Sequence, residues 1–81
     1  MNNTAFEIAL VLRGIHTTRD LSDLVGISRQ TLTPIRHGDR EPTQETAEQI
    51  RNALELSPDE YANIFPLQAA ITAARDKYAA T

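Results

Sequence analysis

Arg29, Gln30 and Thr33 sit on one side of a short stretch whose apolar members, Leu32 and Ile35, point the other way at helical spacing. The outward side therefore carries a guanidinium, a carboxamide and a hydroxyl within the first turns of a helix. Such groups read base edges: arginine pairs with guanine through two donors, and glutamine pairs with adenine through a donor and an acceptor. The same residues are ordinary on a solvated helix surface, so their meaning depends on what positions the helix.

The positioning elements are written in the run Leu21-Ser-Asp-Leu-Val-Gly-Ile-Ser-Arg-Gln-Thr31 and its flanks. Thr17 stands three residues before Asp20, the spacing of a reciprocal helix cap. Leu21, Leu24 and Val25 then supply an apolar face for a helix over about residues 18–25. Gly26 falls where that helix must stop at positive φ, Ile27 plugs the corner, and Ser28 caps the next helix, read over 29–37. Two short helices joined by a sharp turn form a helix-turn-helix, whose second helix lies in the major groove of DNA. Pro34 interrupts the second helix, removing an amide donor and crowding the Gln30 carbonyl, so a bend is expected there.

The remaining chain reads as helical throughout. A first helix over about Thr4–Arg13 carries two apolar stripes, one of Phe6, Ala9, Leu10 and Arg13 and another of Ile8, Leu12 and Ile15. His37-Gly-Asp-Arg-Glu-Pro42 is a polar connection, with Gly38 closing the helix before it. A fourth helix follows Thr43 with Ala47, Ile50 and Leu54 inward. Ser57-Pro-Asp-Glu60 combines a capping serine, proline at the first helical position and a carboxylate at the third, and Tyr61, Ile64 and Phe65 complete that helix's inner face. After Pro66, Leu67, Ala70, Ile71, Ala74 and Tyr78 follow the pattern of an amphipathic helix. The expected fold is all-α: a compact five-helix bundle over 1–65 containing the helix-turn-helix, plus a C-terminal helix over 66–81.

Composition bounds the function. An 81-residue chain supports one small core, so it must pack efficiently or dimerise. It has no cysteine, which excludes disulfides and thiolate metal sites and suits a reducing, cytoplasmic compartment. The longest apolar run, Ile8-Ala-Leu-Val-Leu12, is too short to span a bilayer, so no membrane is implied. His16 and His37 lack companion ligands, which leaves no metal site and implies no cofactor. No nucleophile has a plausible base and no glycine-rich phosphate loop is present, so the chain does not read as an enzyme. The net charge of −3 opposes DNA binding, but it is unevenly spread. Residues 13–40 carry +2, everything from Glu41 onward carries −4, and Glu7 supplies the remaining −1.

From Thr17 to about Tyr61 the sequence resembles the lambda-repressor-like helix-turn-helix domains of the Cro and phage-repressor type, the xenobiotic-response-element family. The resemblance is carried by Leu21, Ser22 where alanine is usual, Gly26-Ile-Ser28, Thr31-Leu32, Ile35, Gly38, Arg40, Pro42, Glu45-Thr46, Ala53-Leu54 and Ser57-Pro-Asp-Glu60. It implies a transcriptional regulator that binds double-stranded DNA as a dimer on a partly palindromic operator. By the same resemblance, Arg29, Gln30 and Thr33 would read bases, while Thr18, Ser28, Thr31, Arg36, His37 and Arg40 would meet phosphates. Two departures weaken this transfer. Pro34 replaces a usual long polar base-reading residue, so no base contact is expected from position 34. Asp39 replaces a basic or neutral loop residue while the first helix lacks the basic residues often found there, which lowers the expected phosphate affinity. Arg36 and Arg40 have a second reading, solvated or paired with Asp39 or Glu41.

The apolar faces of the first and last helices have two explanations. Either they pack on each other to enlarge a thin core, or the stripe of Leu67, Ala70, Ile71, Ala74 and Tyr78 forms a two-fold interface. With 81 residues there is no room for a ligand-sensing or self-cleaving domain, so activity is expected to follow concentration, dimerisation or a protein partner. The rival reading is a protein-interaction module, antitoxin-like or an anti-regulator, on the same scaffold.

Overall fold

In the computed structural model, which describes residues 1–79, five polar residues start five helices by the same device. Asn2, Thr17, Ser28, Thr43 and Ser57 each have extended backbone, and each side-chain oxygen accepts an amide three residues on. They open α1 (Asn3–Leu12), α2 (Thr18–Val25), α3 (Arg29–Arg36), α4 (Gln44–Leu54) and α5 (Pro58–Ile64), and α6 (Pro66–Ala79) follows directly. The described residues contain no strand. The reciprocal cap expected at Thr17 is formed only forward, from Asp20 N to Thr17 Oγ1 at 3.0 Å. At Ser57 it is complete, with Glu60 Oε1 accepting from the Ser57 amide at 3.1 Å. The difference is one methylene, which lets glutamate reach back where aspartate does not.

The core lies where the inward faces of α1–α5 meet. Phe6 and Leu10 of α1, Leu21 of α2, Leu32 of α3, Ile50 of α4, and Ile64 and Phe65 at the end of α5 are its fully buried large side chains. Phe65 packs its ring 6.0 Å from that of Phe6 and 5.7 Å from that of Tyr61, in tilted geometries favourable for aromatic pairs. Arg13 ties three helices together from the edge of this core. Its guanidinium donates to the carbonyls of Ala9 and Leu54, and it pairs with Glu60 at 2.9 Å. It thus satisfies a carbonyl at the end of α4 and a carboxylate at the start of α5.

Several sequence expectations need correction. Leu24 does not join the inner face of α2: it is 51% exposed, and Leu21 and Val25 alone turn inward. The second stripe of α1 divides, with Ile15 buried beyond the helix end while Ile8 and Leu12 face solvent beside Val11. Helix α1 starts one residue earlier than its apolar pattern, because Asn2 is the cap, and α3 stops at Arg36, because His37 begins its closing turn. Helix α6 buries Gln68 rather than its apolar stripe. Gln68 Nε2 donates to the Pro42 carbonyl at 2.9 Å, and Gln44 Nε2 donates to the Gln68 carbonyl and to Thr72 Oγ1. A hydrogen-bonded polar seam therefore faces α4, and Leu67, Ala70, Ile71, Ala74 and Tyr78 all lie on the exposed side. The two apolar stripes do not pack on each other.

Helix α4 ends without a glycine. Glu55 adopts φ 54° and ψ 48°, with its amide on the Asn52 carbonyl and the Leu56 amide on the Arg51 carbonyl. These bonds form a Schellman closure at a position that glycine fills without a Cβ penalty. Glu55→Gly is expected to stabilise the fold by about 1 kcal/mol and to raise the thermal midpoint by about 4–8 °C, measured by calorimetry.

Candidate nucleic-acid interface

Helix α3 is held at both ends by atoms from other elements. At its start, Gly26 takes φ 80° and its amide bonds the Ser22 carbonyl, ending α2 in the left-handed turn that a Cβ would disfavour. The Ser22 hydroxyl donates to the Ile27 carbonyl at 2.6 Å, bracing the corner between the two helices. Ser22 is more than a small residue where alanine is usual: its hydroxyl satisfies a turn carbonyl, which spacing alone did not reveal. Ser28 then caps α3, and its Oγ lies 3.1 Å from Thr31 Oγ1.

At the other end, the Asp39 amide bonds the Pro34 carbonyl and the Gly38 amide bonds the Ile35 carbonyl, with Gly38 at φ 83°. Asn3 Nδ2 of α1 adds donors to the Ile35 and Arg36 carbonyls at 3.3 and 3.0 Å. Pro34 does not end the helix, which runs through it to Arg36. Leu32 and Ile35 fasten the inner face, at 1% and 2% exposure.

This framework brings the predicted residues to one region, in different states. Arg29 and Gln30 are exposed and, among the described residues, make no side-chain hydrogen bond or ion pair. Thr33 is half-buried on the same helix, while His37 and Arg40 are exposed in the closing turn and the connection beyond it. Thr18 is the first residue of α2, and Ser28 and Thr31 share the amino end of α3. An eight-residue helix is about 12 Å long, comparable to the width of a B-DNA major groove.

Arg36 does not pair with Asp39 or Glu41. Its Nε and NH2 bond the two carboxylate oxygens of Glu7 at 2.8 and 3.0 Å, and its NH1 donates to Thr18 Oγ1 at 3.1 Å. Sequence reasoning missed Glu7 because 29 residues separate the partners. The Arg36 guanidinium, with a smaller contribution from its charge and that of His37, holds the Glu7 carboxyl below the usual carboxylate range, while Glu7 raises Arg36. Arg13 is likewise engaged with Glu60. The arginines left without an ion pair among the described residues are therefore 19, 29 and 40 in the segment that carries +2.

A helix-turn-helix family model of the Cro/C1 type matches residues 7–61, which spans all of α2, the turn and α3. The chain belongs to this helix-turn-helix family. It is thereby a DNA-binding transcriptional regulator of the Cro/C1 type. Neither a curated protein nor a solved structure shows significant similarity to it. The family match begins at Glu7, so it includes the residue that pairs with Arg36. No helix among the described residues is long and apolar enough to cross a membrane.

The Glu7–Arg36 pair carries a pH signature. A carboxylate whose folded pKa is depressed contributes stability in full above its unfolded value of about 4.3, and that stability is lost as pH falls through the folded value. Glu7→Gln is expected to cost about 1 kcal/mol or less at pH 7, given the partial exposure of the pair. The gap to the unaltered protein should be smaller at pH 3 than at pH 7. Urea unfolding at the two pH values measures it, and an equal gap at both would assign the cost to something other than the charge.

Proposed function

We propose that the protein represses transcription as a homodimer on a two-fold symmetric operator, in the manner of phage and prophage repressors and Cro-type proteins. The observation that carries this reading is the state of Arg29 and Gln30: without a side-chain partner among the described residues, exposed, and fixed on the first turn of a helix whose other face is buried. Arginine and glutamine so presented read guanine and adenine edges, with Thr33 against a thymine methyl or the backbone. Thr18, Ser28, Thr31, His37 and Arg40 surround them as phosphate contacts that set register. With three arginines in this region that have no ion pair among the described residues, and an acidic C-terminal half, each protomer gains little from non-specific attraction. Useful affinity then comes from base contacts and from two subunits acting together.

Helix α6 suits the second role. Leu67 and Ile71 are 60% and 44% exposed on the side away from α4, in line with Ala70 and Ala74, and every α6 side chain beyond Thr72 is exposed. Small residues between larger apolar ones let a second helix approach closely, so this stripe is the proposed dimer contact. One observation favours a second reading, a protein-interaction module: Ile8, Val11 and Leu12 make an exposed apolar patch on α1. A regulatory protein partner would dock there.

Selection of duplexes from a randomised pool by the unaltered protein should enrich a symmetric motif with half-sites about ten base pairs apart. Arg29→Ala with Gln30→Ala should abolish that enrichment while leaving the helical circular dichroism unchanged; retained biological activity without DNA affinity would favour the interaction module instead. Ile71→Asp should convert a dimer, seen by light scattering at tens of micromolar protein, into a monomer. A monomer before and after the substitution would remove α6 from the interface.

A further inference from the structure

We propose that Arg36 serves the DNA interface as a positioning residue: anchored on Glu7, it fixes the Thr18 hydroxyl so that its proton points outward as a phosphate donor. The inference rests on the DNA-binding reading above.

A guanidinium has no acceptor, whereas a hydroxyl has one proton and two lone pairs. In the 3.1 Å contact between Arg36 NH1 and Thr18 Oγ1, Thr18 must therefore be the acceptor. Its own proton is left over, and among the described residues Arg36 is the one side chain bonded to Thr18. Thr18 opens α2, beside amides that have no partner within the helix, so an anion oxygen approaching there meets several donors at once.

Arg36 itself is poorly placed to meet that anion. Both oxygens of Glu7 hold its Nε and NH2, NH2 also lies 3.5 Å from the His16 carbonyl, and the side chain is only 16% exposed. Swinging it to a phosphate would break a bidentate pair and leave the Glu7 carboxylate unpaired beside the DNA backbone. A lysine would not reproduce the arrangement, because the planar fork engages the carboxylate through two nitrogens while the third reaches Thr18. The sequence reading placed both Thr18 and Arg36 at phosphates; the geometry makes them successive members of one chain, Glu7 to Arg36 to Thr18 to phosphate.

The test compares binding of the full chain to its selected duplex over a range of salt concentrations. The variants are Thr18→Ser, Thr18→Val, the charge-neutral pair Glu7→Gln with Arg36→Met, and the triple variant Glu7→Gln, Arg36→Met, Thr18→Val. Thr18→Ser should bind like the unaltered protein, and Thr18→Val should lose about tenfold to a hundredfold in affinity. The Glu7/Arg36 double variant should lose affinity without change in the slope of log K against log salt, and the triple variant should bind no worse than either parent. A slope smaller by about 0.9 in the double variant would place Arg36 directly on a phosphate and overturn the proposal. So would full binding by Thr18→Val, or losses that multiply in the triple variant. Should the double variant fail to fold, the Arg36 Nε–H resonance of the unaltered protein decides: it should keep its position when the duplex is added, and displacement would overturn the proposal. Absence of binding by the unaltered protein would instead overturn the DNA-binding reading, and this inference with it.

Discussion

A recognition helix of eight residues cannot hold its own direction. Helices this short are marginal alone, and Pro34 deprives this one of an amide that would bond the Gln30 carbonyl. Its orientation is therefore set from outside, and much of the bundle serves that end. Leu32 and Ile35 are buried in the core, Ser22 and Ser28 hold the entering turn, and Asn3 satisfies carbonyls at the far end. The outward residues gain a fixed geometry without contributing to it, which leaves Arg29 and Gln30 available for a ligand.

The electrostatic organisation follows the same division. Arginines near the helix junctions are matched with carboxylates from distant segments, Arg13 with Glu60 and Arg36 with Glu7. Those pairs are partly exposed, so each adds little to stability, but each fixes one helix against another. Charge that a count along the sequence would assign to DNA is thus partly used within the fold. What remains on the recognition side is small and localised, which favours discrimination between sites over tight binding to any duplex.

Much of this was legible in the sequence because its signals are local. Caps at Thr17, Ser28 and Ser57, the left-handed turn at Gly26 and the stop at Gly38 each depend on a few neighbouring residues, and helix spacing supplied Leu32, Ile35, Ala47, Ile50 and Leu54 as core. The misses share a different cause. Leu24 fits the apolar spacing of α2 but sits past the edge of the surface that the other helices cover. Glu55 takes a glycine conformation that its type does not announce. Gln68 is buried with its side-chain amide donating to the Pro42 carbonyl, while Gln44 donates to its backbone carbonyl, so polarity predicted the wrong face of α6 to be covered. The Glu7–Arg36–Thr18 chain joins three separate segments, and no periodicity encodes that meeting.

The contact between the first and fifth helices also bears on how the chain is made. The Asn2 amide bonds the Ile64 carbonyl, and the Phe6 ring rests against Phe65, so α1 closes in part against residues 64 and 65. During synthesis from the amino end, α2 and α3 can assemble locally long before that point. The Phe6 ring lacks its Phe65 partner until α5 has been made. Docking of α1 on α5 joins segments distant in sequence, so closure of the bundle follows the local assembly of α2 and α3.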